Sequence, residues 1–471
     1  MPDLPRLHGR LLASRPLPPG VTGPPTGPGG ALRVLQVGEG RFMRGFFDWI
    51  LQQLVRQAGY DGRAAVINPR PAGGGVIADL VRQSCLFTVV LRSSSEDRVE
   101  ICASVARALD PYRDPRGLME LVTDPNLDIV VSNTTEAGLV GSDPAHRAAE
   151  PVTFPARLCL WLFERWRRKV RGGLTVMPLE LVPGNGRRLR AIVEQEAGDR
   201  GLDAEFRRWL DAAVEFPSTL VDRIVTGFPP DAERWFARLG YRDALLTVGE
   251  SHHRLWIEST PGLERRLPFA STDLKVRAVA DIRPYEAMKV RMLNGAHITL
   301  AALGDLAGRD TVAAAMRSPA LAAVVEAYLA VAAPTVPLPP SEVAQFGGEV
   351  LERLRAPWLE HALVAILENA VQKWELRVLP VAEAVRAPAA PLTLSLAALV
   401  AHAGLRRGSC ERRPGGRIQG PLAAQWHEGP WARWVEELPG FAQAVAADLE
   451  GFAAHGVEAT CRARLAAGPL P

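Results

Sequence analysis

The stretch ALRVLQVGEGRFMRGFFDWILQQLVRQAG, residues 31–59, decides which class of fold the chain adopts. Its opening ALRVLQVG alternates apolar and polar side chains as a β-strand does, and FFDWILQQLVRQAG has the apolar spacing of an amphipathic helix. The glycines of GEGRFMRG supply the turn that joins them. A strand, a glycine turn and a helix in this order predict the start of an α/β fold with a parallel sheet.

The alternation of strands and helices continues beyond this stretch. Strand signals occur in GRAAVINP, CLFTVVLRS, RVEICASVAR and LDIVVSNT, with helix signals near GGVIADLVRQSC and DPRGLMELVTD. We therefore predict a Rossmann-like parallel-sheet domain over residues 31–280. Residues 1–30 end in PPGVTGPPTGPGG, and these prolines and glycines predict a flexible leader. From residue 281 onward, long Ala- and Leu-rich segments predict a mainly α-helical C-terminal domain over residues 281–471.

The composition excludes several classes of protein. A chain of 471 residues, 47% hydrophobic and 23% charged, is typical of a globular protein with more than one core. The formal charge of +3 is spread thinly, without the basic and aromatic cluster of a nucleic-acid groove. The five cysteines include no CxxC pair, which suits a reducing cytosol. No long apolar run or signal peptide is present, so we expect a cytoplasmic protein without a membrane segment.

Gly38, Gly40 and Gly45 form G-x-G-x-x-x-x-G directly after the first strand. Glycines at such a turn permit the close approach of backbone to a pyrophosphate, although they also suit a purely structural turn. The acid that usually follows the second strand and binds the adenosine ribose is missing, and Asn68 and Arg70 stand there instead. Arg70 could contact the 2′-phosphate of NADP, or it could be a solvated loop residue.

The stretch YEAMKVRMLNGAHITL, residues 285–300, sets an ammonium, an amide and an imidazole among apolar side chains. On an α-helix, at about 100° per residue, Asn294 lies roughly 140° and His297 roughly 80° around the axis from Lys289. The three side chains would then share one side of the helix. They could face a substrate, or Lys289 could simply extend to solvent while Asn294 relieves packing.

Four further segments place polar residues where a strand should end: VVSNTTEAG (130–138), ELVPGNGRRL (180–189), STLVDRIVTGFP (218–229) and VGESHHRLWIE (248–258). Ligands of open α/β sheets bind outside the carboxyl ends of the strands, so these loops are candidate walls of a site. Taken alone, each is also a common form of turn or helix cap. No metal site is expected at Glu250, His252 and His253, because adjacent histidines on a strand point to opposite faces.

Together with KVRMLNGAH, these segments resemble the mannitol dehydrogenase family of long-chain polyol dehydrogenases. GEGRFMRGFFDW, SNTTEAG, STLVDRIVTGFP, ESHHRLWIE and KVRMLNGAH follow the order found in its tagaturonate reductase, or altronate oxidoreductase, branch. The resemblance runs from about residue 33 to about residue 382, where KWELRVLP closes it. It implies an oxidoreductase that acts on a CH–OH group.

The resemblance also implies roles for single residues. The family pattern K-x-x-x-x-N-x-x-H falls on Lys289, Asn294 and His297. Lys289 would be the general acid/base, and His297 would hold a substrate hydroxyl. Asn294 and Asn185 would donate hydrogen bonds to the reacting oxygen. Asp222 would hold a hydroxyl or support the lysine.

The implied cofactor is NAD, with NADP as the alternative that Arg70 leaves open. The residues expected to bind it are Gly38, Gly40, Phe42, Gly45, Asn133, Thr134 and Glu136. Glu136 could instead cap the turn that follows it.

The implied substrate is a small keto-sugar acid, namely tagaturonate, reduced reversibly to altronate. Its carboxylate needs a fixed cation, and Lys373 and Arg377 are four residues apart, on one helix face just before Leu379 and Pro380. Both could instead be surface charges at a helix end. The alternatives are a mannitol or other polyol dehydrogenase, a fructuronate reductase, and an inactive dinucleotide-binding sensor.

Overall fold

The computed structural model describes residues 4–25, 30–71, 74–94, 96–142, 153–358 and 361–467. The chain forms two compact units, Met1–Arg283 and Pro284–Pro471. The boundary expected after residue 280 is close to this division.

The N-terminal unit is built from strands and helices that alternate over much of its length. Its strands are β1 (Val21–Thr22), β2 (Ala31–Val37), β3 (Gly62–Ile67), β4 (Phe87–Arg92), β5 (Arg98–Cys102), β6 (Val105–Leu109), β7 (Ile129–Ser132), β8 (Leu174–Pro178), β9 (Val214–Glu215), β10 (Thr219–Asp222), β11 (Val225–Gly227), β12 (Thr247–Glu250), β13 (Arg254–Glu258) and β14 (Val276–Val279). Its helices are α1 (Gly9–Ser14), α2 (Arg41–Gly45), α3 (Phe47–Ala58), α4 (Gly74–Arg82), α5 (Pro115–Val122), α6 (Phe154–Arg167), α7 (Asn185–Asp199), α8 (Ala204–Ala213), α9 (Ala232–Leu239) and α10 (Leu263–Arg266). Short 3₁₀ turns cover Glu136–Gly138 and Phe269–Ser271.

The central sheet has the order β6-β3-β2-β7-β8-β9, and all of its strands are parallel. This order is that of a doubly wound dinucleotide-binding sheet, so the Rossmann-like fold is confirmed. Successive residues of β2 face opposite sides: Val34 enters one apolar cluster, and Leu35 and Val37 enter another. Because both faces of the sheet are buried, its strands carry apolar residues at successive positions.

Not all the strands that the sequence indicates belong to this sheet. β4 and β5 lie in a mixed five-stranded sheet of order β1-β5-β4-β12-β11. β10, β13 and β14 form a third, three-stranded sheet. An apolar period of two identifies a strand but does not specify its partner, which is why the sequence indicated only one sheet.

The expectation of a flexible leader over residues 1–30 is wrong for residues 4–25. Leu7 is fully buried and Leu11 nearly so, and both pack in the apolar cluster of the five-stranded sheet. β1 pairs with β5, and the Leu7 N–H donates to the Arg242 carbonyl oxygen. These contacts join segments far apart in sequence, so the local proline and glycine content did not indicate them.

The C-terminal unit is mainly helical, as expected. Its helices are α11 (Arg283–Met288, which begins at the division), α12 (Gly295–Leu306), α13 (Val312–Met316), α14 (Pro319–Ala332), α15 (Pro340–Leu354), α16 (Leu363–Leu367), α17 (Ala370–Arg377), α18 (Leu379–Val385), α19 (Ala390–Arg407), α20 (Leu422–Glu428), α21 (Trp431–Trp434), α22 (Phe441–Ala454) and α23 (Val457–Ala466). A hairpin of β15 (Glu411–Arg413) and β16 (Arg417–Gln419) follows α19.

Helix α12 lies at the centre of this unit, and a buried polar chain fixes it. The Thr299 hydroxyl lies 2.8 Å from the Ser395 hydroxyl on α19, which also accepts a 3.0 Å hydrogen bond from the Trp374 indole on α17. All three side chains are buried. Among the described residues, no helix has both the length and the apolar character needed to cross a membrane.

Candidate active site

The turn after β2 requires glycine at its first position. Gly38 has a φ of +123°, and a Cβ there would lie 2.7 Å from the Asn133 carbonyl oxygen after β7. The Gly38 N–H donates to Ile67 at the end of β3, and the Asn133 N–H donates to Val37. The carboxyl ends of β3, β2 and β7 therefore meet at Gly38, where the strand order of the sheet reverses.

The other two glycines of the motif differ in their surroundings. A Cβ on Gly40 would meet nothing within 4 Å, so the space beside the turn is open. Gly45 lies inside α2, not in the turn, and a Cβ on it would lie 2.8 Å from Val225 and 3.1 Å from Thr247. Gly45 thus allows α2 to pack on β11 and β12. Phe42, also on α2, stacks on Phe46 with ring centroids 5.0 Å apart.

The end of β3 carries an amide in place of the usual acid. Asn68 is buried, and its Nδ2 donates to the Arg70 carbonyl oxygen at 2.7 Å, whereas the Arg70 side chain is exposed. A carboxylate is nevertheless present in the glycine turn, at Glu39. Burial raises the pKa of the Glu39 carboxyl, and the positive charges of Arg44 and Arg70 act in the opposite direction. Glu39 was not predicted, because the acid that binds the ribose usually follows the second strand and not the glycine turn.

The loop after β7 is held by a buried carboxylate, Glu180, that no local sequence pattern marks. Glu180 accepts hydrogen bonds from the Thr134 N–H at 2.8 Å and from the Thr134 hydroxyl at 2.9 Å. Its other oxygen accepts from the Ser132 hydroxyl at 3.1 Å. The Asn133 side chain donates to the Leu179 carbonyl oxygen. Glu136 begins the 3₁₀ turn that follows, but its side chain lies outside the described residues.

Asn185 begins α7 and is buried, with its amide group fully engaged inside the N-terminal unit. Its Nδ2 lies 3.0 Å from the Pro178 and Glu180 carbonyl oxygens and 3.1 Å from that of Thr219. Its Oδ1 accepts from the Thr219 N–H at 2.8 Å. In this arrangement Asn185 joins β8, α7 and β10, and its amide hydrogens are directed at protein carbonyls.

Asp222 ends β10 and lies opposite His252, with 3.5 Å between Asp222 Oδ2 and His252 Nε2. The neighbouring Arg223 guanidinium is buried, donates to the carbonyl oxygens of Gly45 and His252, and lies 4.2 Å from the ring centre of Trp49. Burial, followed by the charge of Arg223, lowers the pKa of His253 to about 3. Within the described part of the chain, no three His, Cys, Asp or Glu side chains are grouped as metal ligands would be.

In the C-terminal unit, the stretch around Lys289 is not a continuous α-helix. Residues Lys289–Asn294 form a π-helix between α11 and α12. Within this wider turn, the Arg291 carbonyl oxygen accepts a 2.8 Å hydrogen bond from the Tyr328 hydroxyl on α14. A Cβ on Gly295 would lie 2.0 Å from that hydroxyl, so glycine is required there. The angles expected from an ideal α-helix therefore do not apply between Lys289 and Asn294.

The predicted catalytic residues of this unit are largely buried. Lys289 is 9% and His297 8% exposed, and Asn294 is half-buried. The His297 ring meets the ring of His361 edge-on, with centroids 5.4 Å apart. Burial, and then the charge of Lys373, lowers the pKa of His361. His361 was missed because it lies 64 positions beyond His297 in the printed sequence, with no local pattern to connect the two.

Lys373 and Arg377 lie on α17, which ends at Arg377 as expected, although α18 begins directly afterwards at Leu379. The Lys373 ammonium donates to the Ile366 carbonyl oxygen at 2.9 Å. Both side chains are half-buried. The structure thus groups His297, His361 and Lys373 within the C-terminal unit.

Two family models match the chain. The mannitol dehydrogenase Rossmann domain matches residues 32–270, and the mannitol dehydrogenase C-terminal domain matches residues 281–406. The two matches follow the same division of the chain that the fold shows.

Altronate oxidoreductases are among the similar curated proteins. That of Halalkalibacterium halodurans is 40% identical over 383 residues, covering 78% of this chain and 74% of the relative. That of Klebsiella pneumoniae strain 342 is 34% identical over 468 residues, covering 90% of this chain and 95% of the relative.

Two solved structures share the fold. A substrate-free D-sorbitol dehydrogenase has a TM-score of 0.83 at 20% identity, over 97% of this chain and 100% of its own. The Pseudomonas fluorescens mannitol 2-dehydrogenase, in a ternary complex with NAD and D-mannitol, has a TM-score of 0.76 at 21% identity, over 98% of this chain and 99% of its own.

Proposed function

Because the chain belongs to the mannitol dehydrogenase family, whose members are oxidoreductases acting on CH–OH groups, we propose that it interconverts tagaturonate and altronate with NAD(H). The observation that carries this proposal is the similarity to altronate oxidoreductases along nearly the whole chain. The runner-up is a dehydrogenase of uncharged polyols, which the fold similarity to mannitol and sorbitol dehydrogenases favours.

The N-terminal unit fits a nicotinamide dinucleotide. Gly38 brings the backbone of β2 against that of Asn133, and the space beside Gly40 is open to a ligand. Thr134 and Asn133 are held at the carboxyl edge of the sheet, the edge at which such cofactors bind. When bound, the nicotinamide would supply or accept the hydride.

NAD is favoured over NADP by the charges near Arg70. Glu39 lies close enough to Arg70 for the two charges to interact. A carboxylate in that position would oppose a 2′-phosphate and would leave Arg70 less able to attract one. Arg70 is otherwise an exposed loop side chain.

Lys289 is assigned the proton transfer. During reduction its ammonium donates a proton to the substrate carbonyl oxygen, and during oxidation its amine accepts the proton of the alcohol. Asn294 donates a hydrogen bond to the same oxygen as negative charge develops on it. The surrounding burial makes these hydrogen bonds stronger than they would be in water.

The remaining polar groups are assigned to binding and positioning. His297 and Asp222 hold substrate hydroxyls, and Lys373 and Arg377 bind the carboxylate. Asn185 was expected to polarise the reacting oxygen directly. Its amide is committed to the Pro178, Glu180 and Thr219 carbonyl oxygens, so we assign it to holding the loop before α7.

The proposal is tested by oxidation of purified altronate with NAD, followed at the absorbance band of NADH. Mannitol and mannonate serve as comparisons. We expect altronate to be oxidised fastest at equal concentration. Faster oxidation of mannitol would establish the polyol dehydrogenase instead, and binding of NADH without turnover of any of the three would favour the inactive sensor.

A further inference from the structure

Glu180 is a buried carboxylate, 2% exposed, beneath the loop that follows β7. Its Oε1 accepts both the backbone N–H and the hydroxyl of Thr134, and its Oε2 accepts the hydroxyl of Ser132. Burial raises the pKa of the Glu180 carboxyl, and these donors act in the opposite direction. A carboxylate in such a place is stabilised by the loop and in turn fixes the loop.

The backbone around Glu180 holds two neighbouring segments as well. Its carbonyl oxygen accepts from the Asn185 side chain at 3.0 Å, at the start of α7. The Leu179 carbonyl oxygen accepts from the Asn133 side chain at 3.0 Å, and the Leu179 N–H donates to Ser132 at 2.8 Å. One short segment thus holds the loop after β7 and the start of α7 together.

The loop contains a backbone conformation that needs such support. Thr135, directly after Thr134, has a φ of +72° and a ψ of 165°, a region that residues with a side chain rarely adopt. Such a conformation persists only where the surroundings determine it. The three hydrogen bonds to Glu180 fix the residues immediately before it.

We propose that Glu180 is a positioning residue for the dinucleotide: it fixes Asn133 and Thr134 in the arrangement that receives the cofactor. This inference rests on the proposed dinucleotide site. In this role Glu180 contacts neither cofactor nor substrate and transfers no proton.

The test compares Glu180→Leu with Glu180→Gln. Glutamine keeps an oxygen for the Thr134 donors and can donate to the Ser132 hydroxyl, which turns to accept, whereas leucine leaves the Thr134 N–H without its acceptor. The dissociation constant of NADH, measured by fluorescence without substrate, should rise at least about tenfold in the leucine variant. In the glutamine variant it should stay within about threefold of wild type, since the hydrogen bonds remain.

Hydrogen exchange at the Thr134 amide gives a readout that does not depend on the cofactor. We expect slow exchange in the wild-type protein without ligand and fast exchange in Glu180→Leu. Asp243→Leu is the matched control, because Asp243 is also a buried carboxylate and accepts from Gln83, Thr88 and Leu245. The thermal unfolding midpoint of Asp243→Leu should fall, while the affinity of this variant for NADH stays unchanged.

Two results would overturn the inference. Wild-type NADH affinity in a folded Glu180→Leu variant would reduce Glu180 to a purely structural residue. Fast exchange of Thr134 in the wild type would show that the loop is not fixed. A wild-type protein that protects Thr134 but binds no NADH would refute the dinucleotide site and leave the loop contacts intact.

Discussion

Lys289 is the residue on which the proposed chemistry depends. Replacing it with alanine removes the group proposed to move the proton, so turnover should fall by at least about 10²-fold, the lower range for a lost general acid/base. The dissociation constant of NADH should change little. Lys169→Ala, at an exposed turn of the N-terminal unit, is the control and should keep wild-type turnover. Normal turnover in Lys289→Ala would mean that another group transfers the proton.

Arg377 is the residue proposed to distinguish a charged from a neutral substrate. Arg377→Ala should lower kcat/KM for tagaturonate. The loss should correspond to about 1.5 to 3 kcal/mol of transition-state stabilisation, the range for a hydrogen bond to a charged group. Slow turnover of fructose should hardly change, because fructose has no carboxylate. Arg386→Ala, an exposed arginine at the end of α18, is the control. Equal losses on both sugars would assign Arg377 to the fold alone.

Among the elements of the fold, we expect the π-helix at Lys289–Asn294 to depend on Gly295 and on the Tyr328 hydroxyl. Gly295→Ala would push the Tyr328 ring away from the helix and break its hydrogen bond to Arg291. The free energy of unfolding should fall by about 1–3 kcal/mol, the usual cost of overpacking, with turnover reduced as well. Denaturant unfolding of the purified variant measures the change.

Gly348→Ala is the matched control for Gly295→Ala. Gly348 lies within α15, is exposed, and would have no atom within 4 Å of an added Cβ. The change should be neutral or stabilise the protein by up to about 1 kcal/mol. If both alanine variants behave alike, the packing of Tyr328 does not support the π-helix.

Local sequence predicts local elements well and distant contacts poorly. The strand, glycine turn and helix of residues 31–59 follow from spacing alone, and the structure has them as β2, the turn at Gly38 and α2–α3. The π-helix could not be predicted, because the side chain that hydrogen-bonds to its Arg291 carbonyl oxygen, Tyr328, lies 37 residues away. Gly45 belonged to the motif by spacing, but its role depends on Val225 and Thr247. Glu180 and His361 were missed for the same reason, since their partners are distant in sequence.

At the scale of the whole molecule, one buried acid makes stability depend on pH. Asp48 on α3 is almost fully buried, and burial raises its pKa to about 7. In the unfolded chain the pKa of an aspartate is about 3.9. Between these two pH values the folded state keeps a proton that the unfolded state has released. The free energy of unfolding therefore decreases over this range, until the pH passes about 7 and Asp48 ionises in the folded state as well.

The variant Asp48→Asn should remove this pH dependence. We expect the thermal midpoint of the wild type to fall more steeply than that of the variant between pH 5 and pH 8, measured by circular dichroism. Parallel curves would show that Asp48 ionises in the folded protein as it does in water.

Steady-state reduction tests the proposed substrate of the enzyme most directly. The measurement is kcat/KM with NADH for tagaturonate, fructuronate and fructose under one set of conditions. We expect kcat/KM for tagaturonate to exceed that for fructose by at least about tenfold, since one charge-assisted contact is worth about 1.5 kcal/mol or more. Tagaturonate should also exceed fructuronate. A higher kcat/KM for fructose than for tagaturonate would mean that the enzyme is a polyol dehydrogenase and not a reductase of a keto-sugar acid.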